Sequence, residues 1–318
     1  MSMILYPYTE VPKAFIFGLK IDIFAMKTIQ MPYPELAKAL GVENIYLKRE
    51  DTHKYGSHKG RSIPLMIKNY NKQGINTFVI SSSGNAALAA VLAVENRLKN
   101  NPEVTLSLKI FVGKNIDQKK LEKLKRTITC SDAITIEQVD NPKQKAFQLD
   151  KAGEAKFLRQ STDDLALDGY MELAQEITKI PELSAIFIPT SSGTTAQAIG
   201  QYILDRNLPI QLHIAQTTSC HPIAEEFDTK TSDEPSLAGA IVDKVAHRKE
   251  VLIPIIKKTN GFGWIIDNTQ IQEAQKLVKT TTDLDISATS ALSVAALQKA
   301  LKMGKTFDGP VSCFICGA

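Results

Sequence analysis

Lys59 lies in the run Leu47-Lys48-Arg49-Glu50-Asp51-Thr52-His53-Lys54-Tyr55-Gly56-Ser57-His58-Lys59-Gly60-Arg61. The run reads as a strand ending in a polar loop, with a lysine among small residues where a helix can begin. Lysine is the side chain that forms a Schiff base with an aldehyde, and it must be deprotonated to do so. Neighbouring cations favour that form, and His58 and Arg61 flank the amine. Two further loops follow apolar strands. Phe78-Val79-Ile80 runs into Ser81-Ser82-Ser83-Gly84-Asn85-Ala86, and Ile186-Phe187-Ile188-Pro189 opens into Thr190-Ser191-Ser192-Gly193-Thr194-Thr195-Ala196. The first N–H groups of a helix are unpaired and partly positive, so they bind phosphate without any lysine or arginine. The same serines and threonines also suit plain N-capping. One lysine and two small-residue loops fit a cofactor with an aldehyde and a phosphate, and pyridoxal phosphate has both.

Other chemistries find less support. Gly56-Ser57-His58-Lys59-Gly60 lacks the order of a nucleotide P-loop. His53, His213, His221 and His247 show no metal spacing. Cys313 and Cys316 have the spacing of a metal or redox pair, but they sit in an apolar segment where residues three apart face opposite sides of a strand. No second pair accompanies them, so no metal is expected. Four cysteines in a chain of 318 residues do not make a disulfide framework and suit a reducing cytoplasm. Net charge is +4, and lysine runs such as Lys119-Lys120 read as a solvated helix face rather than a nucleic-acid patch. The single Trp264 offers no stacking platform for bases. No apolar run reaches the roughly 20 residues that span a bilayer. Met1–Glu10 lacks the basic-then-apolar order of a signal peptide.

Positioning these groups requires a regular scaffold. Strand-length apolar runs are expected at Ile45–Leu47, Phe78–Ile80, Leu106–Val112, Ala133–Ile136, Ala185–Ile188, Ile210–Ala215, Trp264–Ile266 and Val311–Ile315. Helix-period segments alternate with them, including Ala86–Leu98, Ala196–Leu204, Gln270–Lys279 and Ser290–Lys302, with Asn268 placed as a cap. This alternation predicts an α/β fold of open, mostly parallel twisted sheets with helices on both faces.

The three segments, in this order, resemble the pyridoxal-phosphate enzymes of fold type II, the tryptophan synthase β-chain superfamily. The resemblance runs from about Ile45 to the end of the chain. It implies two lobes: a larger one from residues 1–59 and 160–318, and a smaller inserted one from 60–159 that carries the asparagine loop. It further implies that Lys59 holds the cofactor and shuttles protons, with His58 beside it. Ser191, Ser192, Gly193, Thr194 and Thr195 would receive the phosphate. Asn85 would meet the ring hydroxyl, and Ser82, Ser83, Gly84 and Asn85 the substrate carboxylate. Cys316 would meet the pyridine nitrogen, and two copies would pair as a homodimer. Many relatives have a glycine-rich phosphate loop, whereas this chain keeps only Gly193 there.

Within the superfamily, Gln216-Thr217-Thr218, Leu237-Ala238-Gly239-Ala240-Ile241 and Ser287-Ala288-Thr289-Ser290-Ala291 are worded like threonine synthases and dehydratases. The His58-Lys59 pair is worded like the tryptophan synthase β chain, but that enzyme's own loop is replaced by Ser82-Ser83-Gly84-Asn85. The resemblance thus implies a lyase acting on an amino acid, threonine-synthase-like on O-phospho-L-homoserine. A serine or threonine dehydratase and a non-catalytic cofactor-binding homologue remain alternatives. A phosphate-leaving substrate needs an added cationic pocket, for which Lys48, Arg49 and Arg159 are the candidates.

Overall fold

The computed structural model describes residues 26–317. The segment Met1–Glu10, on which the signal-peptide expectation falls, lies outside the described residues, as does Ala318. The chain begins with strand β1 (Ile29–Pro32), helix α1 (Pro34–Leu40) and strand β2 (Ile45–Arg49). Next come α2 (Lys59–Lys72), β3 (Thr77–Ser81), α3 (Asn85–Asn100), β4 (Ser107–Gly113) and α4 (Gln118–Thr127). After β5 (Ile134–Val139), α5 (Pro142–Lys151) and β6 (Lys156–Phe157), the path continues through α6 (Leu165–Ile177), β7 (Ala185–Pro189) and α7 (Thr194–Asp205). It closes with β8 (Gln211–Thr217), α8 (Lys249–Lys258), β9 (Gly263–Ile266), α9 (Asn268–Thr282), α10 (Ala288–Lys302) and β10 (Val311–Ile315).

Two sheets result. One has six strands in the order β1-β2-β10-β7-β8-β9, the other four in the order β5-β4-β3-β6. Every pairing is parallel except β1 with β2. Strands covered on both faces read as unbroken apolar runs. In β7, Ala185 and Phe187 pack into one core cluster with Trp264, while Ile186 and Ile188 pack into another with Tyr170. The smaller sheet divides the same way: Phe78 and Ile80 face α3, and Val79 faces α5. Helices therefore cover both faces of both sheets, the arrangement expected from the alternating sequence.

Local expectations met two corrections. The N-cap of α9 is Asp267, not Asn268. Its carboxylate accepts from the Gln270 N–H, and the Gln270 side chain accepts from the Asp267 N–H, a capping box. Asn268 instead reaches into the preceding loop, accepting from the Leu237 N–H and donating to the Pro235 carbonyl. The edge strand β1 is also absent from the expected runs. It is held by its pairing with β2 rather than by an apolar pattern of its own.

Beneath the start of α2 lies a buried charged cluster. The Lys48 ammonium is 2.6 Å from a Glu176 carboxylate oxygen. Arg61 donates to Glu50 at 2.6 and 2.8 Å and to Glu176 at 2.7 and 2.8 Å. Lys48 and Glu50 are fully buried, and Arg61 and Glu176 nearly so. Two cations face two carboxylates, and Thr28 adds a hydroxyl that donates to Glu50.

Candidate functional site

The C-terminal ends of β3, β4, β7 and β10 open on a cavity of about 610 Å³. This is where open α/β sheets present their ligand sites. Every residue singled out above for cofactor or carboxylate binding lines it: His58 and Lys59, Ser82 to Asn85, Ser191 to Thr195, and Cys316. The segment Leu237–Val242, the start of α10 and Lys120 complete much of the wall. Among the described residues that line it, none is an aspartate or glutamate.

Lys59 is the first residue of α2. The turn before it is clamped to the end of β10, because the His58 N–H donates to the Cys316 carbonyl at 3.1 Å and His58 Nδ1 lies 2.8 Å from that oxygen. Enclosure of the ring, and then the Lys59 charge, push the His58 pKa down to about 3. The imidazole is therefore neutral at pH 7, and with its proton on Nδ1 it donates to that carbonyl. Gly317 takes a positive φ of 144°, and an added Cβ there would stand 2.6 Å from the Ser57 Cβ and 2.9 Å from Asn85 Nδ2. This close approach brings the lysine turn, the asparagine loop and the chain end together.

The helix N-termini that follow the asparagine loop and the Ser191–Gly193 loop both lack a side-chain cap. The N-cap of α3 is Gly84 and that of α7 is Gly193, which adopts a left-handed φ of 92°. Elsewhere on the cavity wall, the starts of α4 and α10 are capped by Asp117 and Ser287. Simple capping by serine or threonine thus does not account for the two loops. Their first-turn N–H groups are left for an anion.

The hydroxyls of the second loop are mostly engaged elsewhere. Ser191 Oγ accepts from the N–H groups of Val242 and Asp243 at 3.1 and 3.2 Å, which fastens the 237–242 wall segment over the loop. Thr194 Oγ1 donates to the Gln160 carbonyl at 3.1 Å and lies 3.0 Å from Ser192 Oγ. An arriving phosphate would meet backbone N–H groups and Thr195 rather than a row of hydroxyls.

Arg248 supports this loop from behind and was not singled out in the sequence. Its nearly buried guanidinium donates to Thr194 Oγ1 at 3.2 Å, to Asp164 and Gln197 at 3.0 Å, and to the carbonyls of Gln160 and Asp163 at 2.9 and 3.0 Å. One arginine thus ties α7 to the connection that returns the chain from the smaller sheet. Its sequence setting, Ala246-His247-Arg248-Lys249, looks like any basic helix start. We expect Arg248→Met to weaken pyridoxal phosphate binding about ten- to a hundredfold, the scale of one or two lost charge-assisted hydrogen bonds. Equilibrium titration of the cofactor measures this, and an unchanged dissociation constant would mean the loop holds its shape alone.

Cys316 is buried, its N–H donates to Ser290 Oγ at 3.2 Å, and its sulfur lies 3.6 Å from the same hydroxyl. Burial pushes the thiol pKa up, so it is a neutral group. Cys313, three residues earlier, packs in the cluster on the opposite face of the sheet. Among the described residues no group of three or more histidines, cysteines or carboxylates is placed to hold a metal ion.

The proposed cationic pocket is corrected. Lys48 is sequestered by Glu176, Arg49 forks onto Asp51 at 2.6 to 3.1 Å, and Arg159 Nη2 lies 2.7 Å from His247 Nε2. None of the three lines the cavity. Arg61 likewise turns toward Glu50 and Glu176 and away from Lys59.

The family described as pyridoxal-phosphate dependent enzyme matches residues 24–317. This chain belongs to that family. It is 25% identical over 297 residues to a threonine synthase of Methanocaldococcus jannaschii, covering 85% of this chain and 68% of that protein. It is 28% identical over 147 residues to the human L-serine dehydratase/L-threonine deaminase, covering 45% of this chain and 41% of that protein. The fold matches a pyridoxal 5'-phosphate-dependent aspartate racemase with a TM-score of 0.74, at 20% identity and over 92% of this chain and 90% of the other. The chain is therefore a pyridoxal-phosphate dependent protein of fold type II. The site suits that cofactor: Lys59, the uncapped N-termini of α3 and α7 and a neutral thiol share a cavity whose described lining holds no carboxylate.

Proposed function

We propose that the protein is a threonine-synthase-like lyase that converts O-phospho-L-homoserine and water to L-threonine and phosphate. The observation that carries this reading is the charge of the cavity. A substrate with an anion at each end suits a wall with two uncapped helix N-termini, lysine side chains and no carboxylate. The likeness to an archaeal threonine synthase over most of the chain adds support.

In this reading Lys59 would hold the cofactor, then remove the protons at the substrate Cα and Cβ so that the γ-phosphate can leave, and return protons to Cγ and Cα as the hydroxyl of water adds at the β carbon and the remaining water proton goes to the phosphate. The N–H groups of Ser82 to Asn85 would bind the α-carboxylate, and the Asn85 amide would be available to the ring hydroxyl. The loop Ser191–Gly193 and the first residues of α7, Thr194 and Thr195, would hold the cofactor phosphate. His58 stays neutral and fixes the Lys59 turn. Cys316 would offer the pyridine nitrogen a neutral partner, which would leave that nitrogen largely unprotonated and favour expulsion of a leaving group. When bound, pyridoxal phosphate supplies the electron sink that makes the Cα proton removable. Residues 60–159 would act as a smaller lobe that closes on the carboxylate and excludes water.

A homodimer in the cytoplasm accompanies this reading, following the family resemblance. Among the described residues no helix is long and apolar enough to cross a membrane. The partial likeness to the human dehydratase favours a second reading, elimination of water from serine or threonine with release of a 2-oxo acid and ammonia.

The test is incubation of cofactor-loaded protein with O-phospho-L-homoserine, serine and threonine in turn. Equal amounts of phosphate and threonine from the first establish the synthase. A 2-oxo acid from serine or threonine with no phosphate release transfers the assignment to the dehydratase. A cofactor spectrum that no amino acid alters identifies a binding protein.

A further inference from the structure

Among the described residues that line the cavity, two lysines provide the cationic side chains, Lys59 and Lys120. On the reading above, Lys59 is committed to the cofactor, the start of α7 to its phosphate, and the start of α3 to the substrate carboxylate. Lys120 remains without an assigned task. It stands on the first turn of α4, beside Gly113 at the end of β4 and Pro142 at the start of α5, all on the side of the smaller sheet. The Asp117 carboxylate accepts from the Lys120 N–H at 3.0 Å, which fixes the backbone of that turn.

Two lysines on the flanking segments are paired with carboxylates. Lys114, next to Gly113, pairs with Asp140 at 2.8 Å, and Lys143, next to Pro142, pairs with Asp243 at 2.9 Å. Among the described residues no carboxylate pairs with the Lys120 ammonium, although Arg126 on the same helix pairs with Glu122. A cleft with walls of one sign concentrates the opposite charge. Lys120 is exposed at the edge of this carboxylate-free cavity, where its ammonium is available to a second anion on a ligand.

We propose that Lys120 is a specificity-determining residue that binds an anionic group at the far end of the substrate side chain, a phosphate ester or a carboxylate. It rests on the reading above for which end of the amino acid lies where, but not for the reaction outcome. Neutral amino acids would lack this contact and bind less well. Lys120 also replaces Lys48, Arg49 and Arg159 as the cation available to a leaving phosphate.

The experiment titrates cofactor-loaded protein with O-phospho-L-homoserine, L-aspartate, L-homoserine and L-asparagine, following the cofactor absorbance. We expect each anionic amino acid to bind more tightly than its neutral counterpart. The preference should fall about tenfold in Lys120→Met, invert in Lys120→Glu and persist in Lys120→Arg, since the contact is a partly exposed charge pair. Lys119→Met, which alters the adjacent residue outside the cavity wall, should keep the preference. The relative affinity for phosphohomoserine and aspartate shows which anion the site favours. Equal preference in the parent and in Lys120→Met overturns the proposal even if phosphohomoserine is turned over. Conversely, a Lys120-dependent preference without turnover of phosphohomoserine keeps the inference and discards the synthase reading.

Discussion

Alanine at Lys59 is expected to remove the visible absorption band that the intact chain acquires with pyridoxal phosphate, and to lower turnover about a thousandfold or more. Both effects follow from one amine. On the proposed reading it would form the covalent link to the cofactor aldehyde and serve as the base at the substrate Cα. A methyl group does neither, and water would have to enter the cavity to replace it. Small amines added to Lys59→Ala should recover part of the turnover, because they supply the missing base without the tether. Lys54→Ala tests for a general effect of lysine loss in this loop, since Lys54 is exposed and lies outside the cavity wall. It should keep the band. A Lys59→Ala protein that folds and shows the parent spectrum would place the cofactor on another lysine and undo the assignment of the site.

How far the sequence alone reached depends on whether a residue's partners are near it in the chain. Strand β7 was legible because Ala185-Ile186-Phe187-Ile188 is apolar on both faces, and only a strand covered on both sides tolerates that. Lys59, the asparagine loop and the Ser191–Thr195 loop were legible for a related reason. The two loops are strand ends followed at once by small residues and a helix, and Lys59 opens a helix directly after Gly56 and Ser57, so each pattern is local in the chain.

Side-chain direction was not legible. Lys48 read as a candidate for a substrate phosphate and Arg61 as a cation beside Lys59, but both turn to Glu176, whose carboxylate lies more than a hundred residues along the chain. Arg248 is the reverse case: an ordinary basic residue in sequence becomes the tie behind the phosphate loop only when Gln160, Asp163 and Asp164 fold against it. Lys120 was read, with Lys119, as part of a solvated face. The cavity separates the two, since only Lys120 lines it. Asp267 displaced Asn268 as a cap by one residue, a distinction set by an extended φ,ψ pair and invisible to a list of capping types.

Methionine at Arg61 is expected to cost about 3–5 kcal/mol of stability, the penalty for leaving buried charge without its partner. The parent cluster balances Lys48 and Arg61 against Glu50 and Glu176. Removing Arg61 leaves two buried carboxylates facing one ammonium. Neutralising one of them restores the balance, so Arg61→Met with Glu50→Gln should be more stable than Arg61→Met alone. Such non-additivity is the mark of a coupled network. Denaturant unfolding of the cofactor-free proteins measures the terms. An Arg61→Met loss below about 1 kcal/mol would mean that water screens the cluster.

Acid offers an independent reading of the same network. Burial by itself raises the Glu176 pKa, but hydrogen bonds and charge from Arg61 and Lys48 override it and lower the value to about 2. An unfolded glutamate titrates near 4.3, so this carboxylate contributes fully above about pH 5 and its contribution is lost as pH falls toward about 2. Arg61→Met should weaken that acid dependence along with the stability. Function is affected because Arg61 is the third residue of α2 and Lys59 the first. A loosened helix start would displace the Lys59 amine, so on the proposed reading cofactor retention should fall in Arg61→Met and recover in part in the double variant.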